Sequence, residues 1–266
     1  LEMVNAGVVD ITVCDSNIAR IWAKIMEELV IREDLQLRSD IEIAWMVRKK
    51  NPELKESLDR FLRKRRRGTL IGNIYFKRYY QKNKWIANPL NRIHRERVSR
   101  FKKLIARYAG RYGFDWRLIL AMAYQESGLD HSRKSSAGAV GIMQIRPQTA
   151  SDRNVGIPDI QDPENNIHAA VKYLDFLRDH YFSSQSIRPR DRVRMALASY
   201  NAGPAKIRKA RSMAAGMGLD PDRWFRNVEM AVLELVGRET VKYVSNINKY
   251  YLIYRRAYRN GEDDLE

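Results

Sequence analysis

The sequence contains one cysteine, Cys14. An internal disulfide needs two thiols and a cysteine-based zinc site needs several, so both are excluded. Cys14 falls in a run that reads as a strand, where a lone thiol serves most simply as a small core residue. Long apolar runs are also missing: no segment approaches the roughly 20 uncharged apolar residues that span a bilayer. There is no internal repeat. The sequence begins at Leu1 without a signal peptide and runs almost at once into a strand-like segment, as expected of a chain cut from a longer one.

Acidic residues are scarce relative to basic ones. The net charge of +17 and a pI near 10.0 favour anionic partners: nucleic acid, acidic lipid headgroups, or an acidic polymer such as peptidoglycan. The densest basic run, Arg63 to Arg67, closes a helical segment, where cations complement the helix dipole. A nucleic-acid or membrane-surface patch is the competing reading. With 266 residues, 44% of them hydrophobic, the chain can bury a core for one large or two small domains.

The first eighty residues read as mixed α/β. Residues 4–14 carry a short apolar run of the buried-strand kind, 17–30 a helical stretch, and 41–47 a second strand. Asn51-Pro52 opens a basic amphipathic helix through Leu54, Leu58, Phe61 and Leu62. Tyr75, Phe76, Tyr79 and Tyr80 form an aromatic cluster. Residues 82–100, polar, basic and broken by Pro89, read as a linker. From Phe101 onward the pattern is helical: Phe101, Leu104, Ile105 and Tyr108 mark one helix, and Asp162-Pro163-Glu164 starts another. Residues 192–200, 224–236 and 239–258 supply further helices, with Gly-containing loops at 135–141 and 201–204. The predicted domains are 1–81, a linker over 82–100, and 101–266.

One residue breaks its own pattern. In the helix predicted over 115–127, capped by Asp115 and stopped by Gly128, a buried stripe runs through Ile119, Met122, Ala123 and Glu126. A carboxyl there is expected to titrate high, because burial disfavours its charged form and the C-terminal end of the helix dipole repels it. Such a group can donate a proton near neutral pH. It could equally be a Glu paired with a buried Arg or with backbone amides, or one that reaches solvent at the helix end.

Three later segments bear on that choice: Gly141-Ile-Met-Gln-Ile145, Ala198-Ser-Tyr-Asn-Ala-Gly203, and Glu239-Thr-Val-Lys-Tyr-Val244. With Glu126-Ser127 they resemble, in order and spacing, the signatures of the lytic transglycosylase catalytic domain, departing only at Ser199, where that family often has Ala. The resemblance covers 101–258. It implies a lysozyme-like helical fold and cleavage of the bond between N-acetylmuramic acid and N-acetylglucosamine in peptidoglycan, ending in a 1,6-anhydro sugar without added water. Glu126 would act first as acid and then as base, the sugar's own 6-hydroxyl replacing the second carboxylate of ordinary glycoside hydrolysis.

The same resemblance makes Ser127, Met143, Gln144, Tyr200, Asn201 and Tyr243 substrate-binding residues, with Tyr200 orienting the Glu126 carboxyl. Read without it, Ser127 is helix C-cap chemistry, Met143 core packing, Tyr200 and Tyr243 buried aromatics, and Asn201 a turn residue. It implies no metal and no organic cofactor. Asp130, Asp152, Asp159, Asp162 and Glu164 are the candidates for the second carboxylate of a lysozyme-type hydrolase, and a non-catalytic peptidoglycan-binding module is the alternative of another class. No motif supports nucleic-acid binding.

Residues 4–80 resemble the C-terminal part of a periplasmic solute-binding domain of the amino-acid-binding type, through the Asp-Ser after a strand and the Asn-Pro-Glu-Leu helix start. That implies a partial α/β segment in which Asp15 holds the ammonium of a small amino-acid or peptide ligand; a helix N-cap is its competing role. A solute-binding domain joined to a transglycosylase domain is the arrangement of membrane-bound lytic transglycosylases of the F type. It implies a place in the bacterial envelope, on the periplasmic face, tethered to the outer membrane only through a missing N-terminus.

Overall fold

The computed structural model describes residues 1–39, 43–82, 86 and 88–259. The chain divides into two compact units, Leu1–Asn88 and Pro89–Glu266.

The first unit holds helices α1 (Glu2–Asn5), α2 (Ser16–Trp22), α3 (Pro52–Arg63) and α4 (Leu70–Phe76), the last running on into a π turn, Lys77–Gln81. The α/β expectation for this segment is corrected, since no strand occurs among its described residues. Residues 2–5 are helical, 11–15 have no regular structure, and so do 43–47; Ile41 and Glu42 lie outside the described residues. The physical reason is that a β-prone run becomes a strand only when a neighbour pairs with its backbone. Unpaired, Ile11 and Val13 stand 75% and 74% exposed, and Cys14 is exposed rather than in a core. The small core that does form joins Ile21, Met26 and Ile86, flanked by partly buried Leu1, Trp22, Ile25 and Leu29. Helix α3 buries none of its residues. It carries exposed i,i+4 ion pairs, Lys55–Asp59 and Arg60–Glu56, which solvent screens and which therefore add little to stability.

The second unit contains α5 (Arg92–Arg111), α6 (Trp116–Ser127), α7 (Pro147–Ser151), α8 (Pro163–Tyr181), α9 (Pro189–Ala202), α10 (Pro204–Gly216), a π turn at Trp224–Val228, α11 (Glu229–Leu235) and α12 (Arg238–Ala257). The linker expected over 82–100 ends early. Asn91 Oδ1 accepts the His94 amide at 2.8 Å and starts α5, whose stripe of Val98, Phe101, Ile105 and Tyr108 is buried beneath a basic outer face. The helix expected over 224–236 is shorter than predicted. Phe225 and Arg226 leave helical geometry, Arg226 at φ +58°, while Trp224 is buried and its amide reaches the buried Asp191 carboxylate at 3.3 Å. Helix α10 begins at Pro204, inside the loop expected over 201–204, and covers the core with Ile207, Ala210 and Ala214.

Helix α6 is the centre of this unit. Every residue from Leu118 to Tyr124 is buried, because α12 packs along one side of it and α5 along another. Its ends are fixed as the sequence implies: Asp115 Oδ1 accepts the Arg117 amide at 3.0 Å, and Gly128 at φ +66° closes the helix in the left-handed region that glycine adopts without cost. No helix among the described residues is long and apolar enough to cross a membrane.

Candidate active site

Glu126 lies in the last turn of α6, half-buried, with its carboxyl walled by protein. Tyr243, brought in by α12 and itself 5% exposed, donates its hydroxyl to Glu126 Oε1 at 2.5 Å. Burial raises the Glu126 pKa, and the Tyr243 hydrogen bond and the Arg133 charge pull it part of the way back, leaving it at about 7. Such a carboxyl is half protonated at neutral pH and can both give and take a proton there. Burial and the nearby Glu126 charge hold the Tyr200 and Tyr243 hydroxyls well above the ordinary tyrosine range, so both stay protonated donors.

The sequence-based roles divide once the contacts are seen. Tyr200, expected to orient the carboxyl, donates instead to the Met143 carbonyl at 2.9 Å. The carboxyl's partner is Tyr243. Neighbouring positions on two helices cannot be ranked by spacing alone, because which hydroxyl reaches Glu126 depends on how α9 and α12 cross α6. Ser127 is 5% exposed and spends its hydroxyl on the Ile142 carbonyl at 2.8 Å while accepting the Asp130 amide at 3.0 Å. It ties the helix end to the next loop. Met143 is fully buried, so its side chain is core and its backbone carbonyl is what the site uses. Asn201 is exposed and accepts the Thr240 hydroxyl at 2.8 Å, joining the end of α9 to the start of α12. Gln144 donates its amide to the carbonyls of Gly141 (2.8 Å) and Arg133 (3.0 Å) from a strained left-handed backbone, φ +47°.

Residues 133–145 form a tight reversed loop. Val140 bridges to Lys134 and to Ile145, and the Gly141 amide donates to the Arg133 carbonyl at 2.9 Å. Two side chains missed by sequence reasoning hold it. His131 accepts the Ile142 amide through Nδ1 at 3.2 Å and meets the Gln161 carbonyl through Nε2 at 2.7 Å, which assigns the proton to Nε2. Asn166 on α8, fully buried, accepts the Met143 amide and donates to the carbonyls of Val140 and Ile160, all at 3.0 Å. The signal for Asn166 was legible: like Glu126, it is a polar residue in an apolar stripe, with Ala170 and Leu174 on the same face.

The acids considered for a second catalytic carboxylate are mostly engaged elsewhere. Asp130 accepts from Ser132 at 2.6 Å and faces Arg97; Asp152 holds Asn154; Asp162 caps α8; Glu164 takes Arg107 and Tyr108, each at 2.7 Å. Among the described residues no group of His, Cys, Asp and Glu could hold a metal ion. In the first unit, Asp15 occupies the N-cap position of α2 without a side-chain bond to the helix amides and is exposed. The strand expected to carry it is absent, and with it the basis for a ligand ammonium there.

Residues 103–218 match the family profile described as the Transglycosylase SLT domain. The chain is 34% identical over 274 residues to the membrane-bound lytic murein transglycosylase F of Desulfosudis oleivorans, covering 96% of this chain and 59% of that protein. It is 31% identical over 270 residues to the protein of the same name from Shewanella pealeana, covering 94% and 54%. The chain thus spans little more than half the length of these curated relatives. Among solved structures, an inactive mutant of the lytic transglycosylase Slt from Pseudomonas aeruginosa aligns with a TM-score of 0.50 at 24% identity, over 68% of this chain and 27% of that one. That likeness shows a shared helical fold.

Proposed function

We infer, from the transglycosylase SLT domain that the chain carries over residues 103–218, that it is a peptidoglycan lytic transglycosylase with its catalysis in the second unit. The observation that carries the reading is the Glu126 carboxyl, half-buried in the last turn of α6, held by Tyr243 at 2.5 Å and raised by desolvation to about 7. Protonated Glu126 gives its proton to the glycosidic oxygen between N-acetylmuramic acid and N-acetylglucosamine, and the bond from that oxygen to the anomeric carbon breaks. The resulting carboxylate then takes the proton of the sugar's 6-hydroxyl as that oxygen bonds to the anomeric carbon, giving the 1,6-anhydro end and restoring the acid. No water enters, because the acceptor is already part of the substrate.

Tyr243 keeps the carboxyl in one orientation through both steps and steadies its charged form after the first. The basic charge of the chain, +17, suits an acidic wall polymer. By the same reading the protein works on the periplasmic face of the bacterial envelope, in association with the outer membrane. Hydrolysis of the lysozyme type would need a second carboxylate beside the scissile bond, and the engagement of Asp130, Asp152, Asp162 and Glu164 with other partners speaks against it. Incubation with purified sacculi tests the proposal: the released muropeptides are expected to be lighter by one water than hydrolysed fragments, and Glu126→Gln to release none. Products of hydrolytic mass would refute the mechanism, and full activity in Glu126→Gln would refute the assignment.

A further inference from the structure

We propose that Asn166 is a positioning residue of this active site: from α8, and without itself bonding Glu126, it fixes the backbone on which Tyr200 and Gln144 depend. The inference rests on the proposed reaction only for its kinetic arm.

Asn166 is fully buried, where an unpaired amide is costly, and three of its bonds are to backbone. Its Oδ1 accepts the Met143 amide, and its Nδ2 donates to the carbonyls of Val140 and Ile160, each at 3.0 Å. One side chain therefore pins both ends of the Val140–Met143 turn and ties them to the segment before α8. The fit leaves no spare volume. A Cβ placed on Gly141 would lie 2.3 Å from Asn166 Nδ2, and Gly141 also sits at φ +79°, so glycine is required there twice over.

The consequence for chemistry runs through Met143. The residue whose amide Asn166 holds is the residue whose carbonyl receives the Tyr200 hydroxyl, at 2.9 Å. Gln144 follows in strained geometry, φ +47°, with its amide donated back to the Gly141 carbonyl at 2.8 Å. Tyr200 lies within electrostatic reach of Glu126. The groups that face the Glu126 carboxyl are thus Tyr243 from α12, Tyr200 from α9 and Arg133 from the loop. With Met143 in place, Tyr200 is committed to a carbonyl and Tyr243 is the hydroxyl bonded to the carboxyl. If the turn relaxes, the Tyr200 hydroxyl loses the Met143 carbonyl and is free to turn its dipole toward the Glu126 charge that already acts on it, and the loosened wall lets the carboxyl be better solvated. Both changes favour the carboxylate and weaken Glu126 as a proton donor.

The test compares Asn166→Ala with Gly141→Ala in the full chain. The first removes the amide and the second displaces it while leaving it present, and neither adds charge. Thermal unfolding confirms that each variant is folded. Two quantities are then read: turnover on soluble glycan strands, and the titration midpoint of the Glu126 carboxyl by carbon NMR. The expected result is a fall in kcat on the order of 10- to 100-fold with KM little changed, and a midpoint moved below that of the unsubstituted chain. A residue that only stabilises the fold would leave the midpoint of the folded variants where it was, and that result overturns the proposal whatever the rate does. If the unsubstituted chain cleaves no glycan, the proposed reaction falls while the midpoint still decides the role of Asn166.

Discussion

The two units of this chain use similar residues to opposite effect. In Leu1–Asn88, apolar side chains are plentiful, yet the buried apolar set among the described residues is Ile21, Met26 and Ile86, and Ile11, Val13, Ile43 and Met46 are 74% to 99% exposed. In Pro89–Glu266 the same kinds of residue are gathered around α6, where Ile119 through Ala123 are entirely buried. Apolar content does not make a core. A core needs faces whose periodicities meet, and α6, α8, α9 and α12 supply such faces to one another. Only inside a dense core does a lone carboxyl acquire an unusual pKa, so the second unit alone provides the conditions for Glu126.

Substitutions matched between the units sharpen that contrast, and the largest effect is on rate. Glu126→Gln is expected to lower glycan cleavage by at least about 10³-fold, toward the upper part of the range for general acid–base groups. Asp15→Asn in the first unit should leave turnover on sacculi unchanged, and a comparable loss there would break the assignment of catalysis to the second unit.

Stability comes next. Trp224, about 1% exposed, should cost about 3–5 kcal/mol when replaced by Ala. Met46→Ala, at a side chain 99% exposed, should stay within about 0.5 kcal/mol. Chemical denaturation of both variants reads the difference.

A pH-dependent effect follows from the Glu126 titration. Its folded pKa of about 7 lies above the ordinary 4.5, so between those values the folded chain holds a proton that the unfolded chain has lost. Rising pH therefore erodes stability across that window, by up to about 3 kcal/mol in total. Glu126→Gln abolishes this slope. Measured by denaturant midpoint, the variant should gain on the unsubstituted chain from pH 4 to pH 8, with no further gain above.

The smallest contrast is between two aspartates at helix starts. Asp115 accepts the Arg117 amide at 3.0 Å, pairs with the Arg117 side chain at 2.9 Å and receives the Tyr251 hydroxyl at 2.9 Å. Asp15 makes no side-chain cap bond to α2. Asp115→Ala should cost about 1–2 kcal/mol, and Asp15→Ala close to nothing, as differential scanning calorimetry can show.

The sequence makes some of this structure legible and hides the rest for physical reasons. Local chemistry is readable: Asp115 and Asp162 start their helices, Gly128 stops α6, and the misplaced charge of Glu126 announces itself against Ile119, Met122 and Ala123. Asn166 carries the same kind of anomaly on α8 and could have been found by the same reasoning. What spacing cannot give is which of two tyrosines meets the carboxyl, since Tyr200 and Tyr243 sit on different helices and the choice is made by their crossing of α6. Nor can it show that Ser127 and Met143 turn inward, because a hydroxyl at a helix end suits a carbonyl as well as a sugar. The strands expected over 4–14 and 41–47 rested on β-propensity, which becomes structure only when a partner edge is present.

One measurement bears most directly on the claim that a single carboxyl works twice and water takes no part. Sacculi digested by the unsubstituted chain in water enriched in heavy oxygen should yield anhydro ends with no label. Labelled reducing ends would show that water attacked the anomeric carbon, and would contradict the role of Glu126 as acid and then base toward the sugar's own hydroxyl.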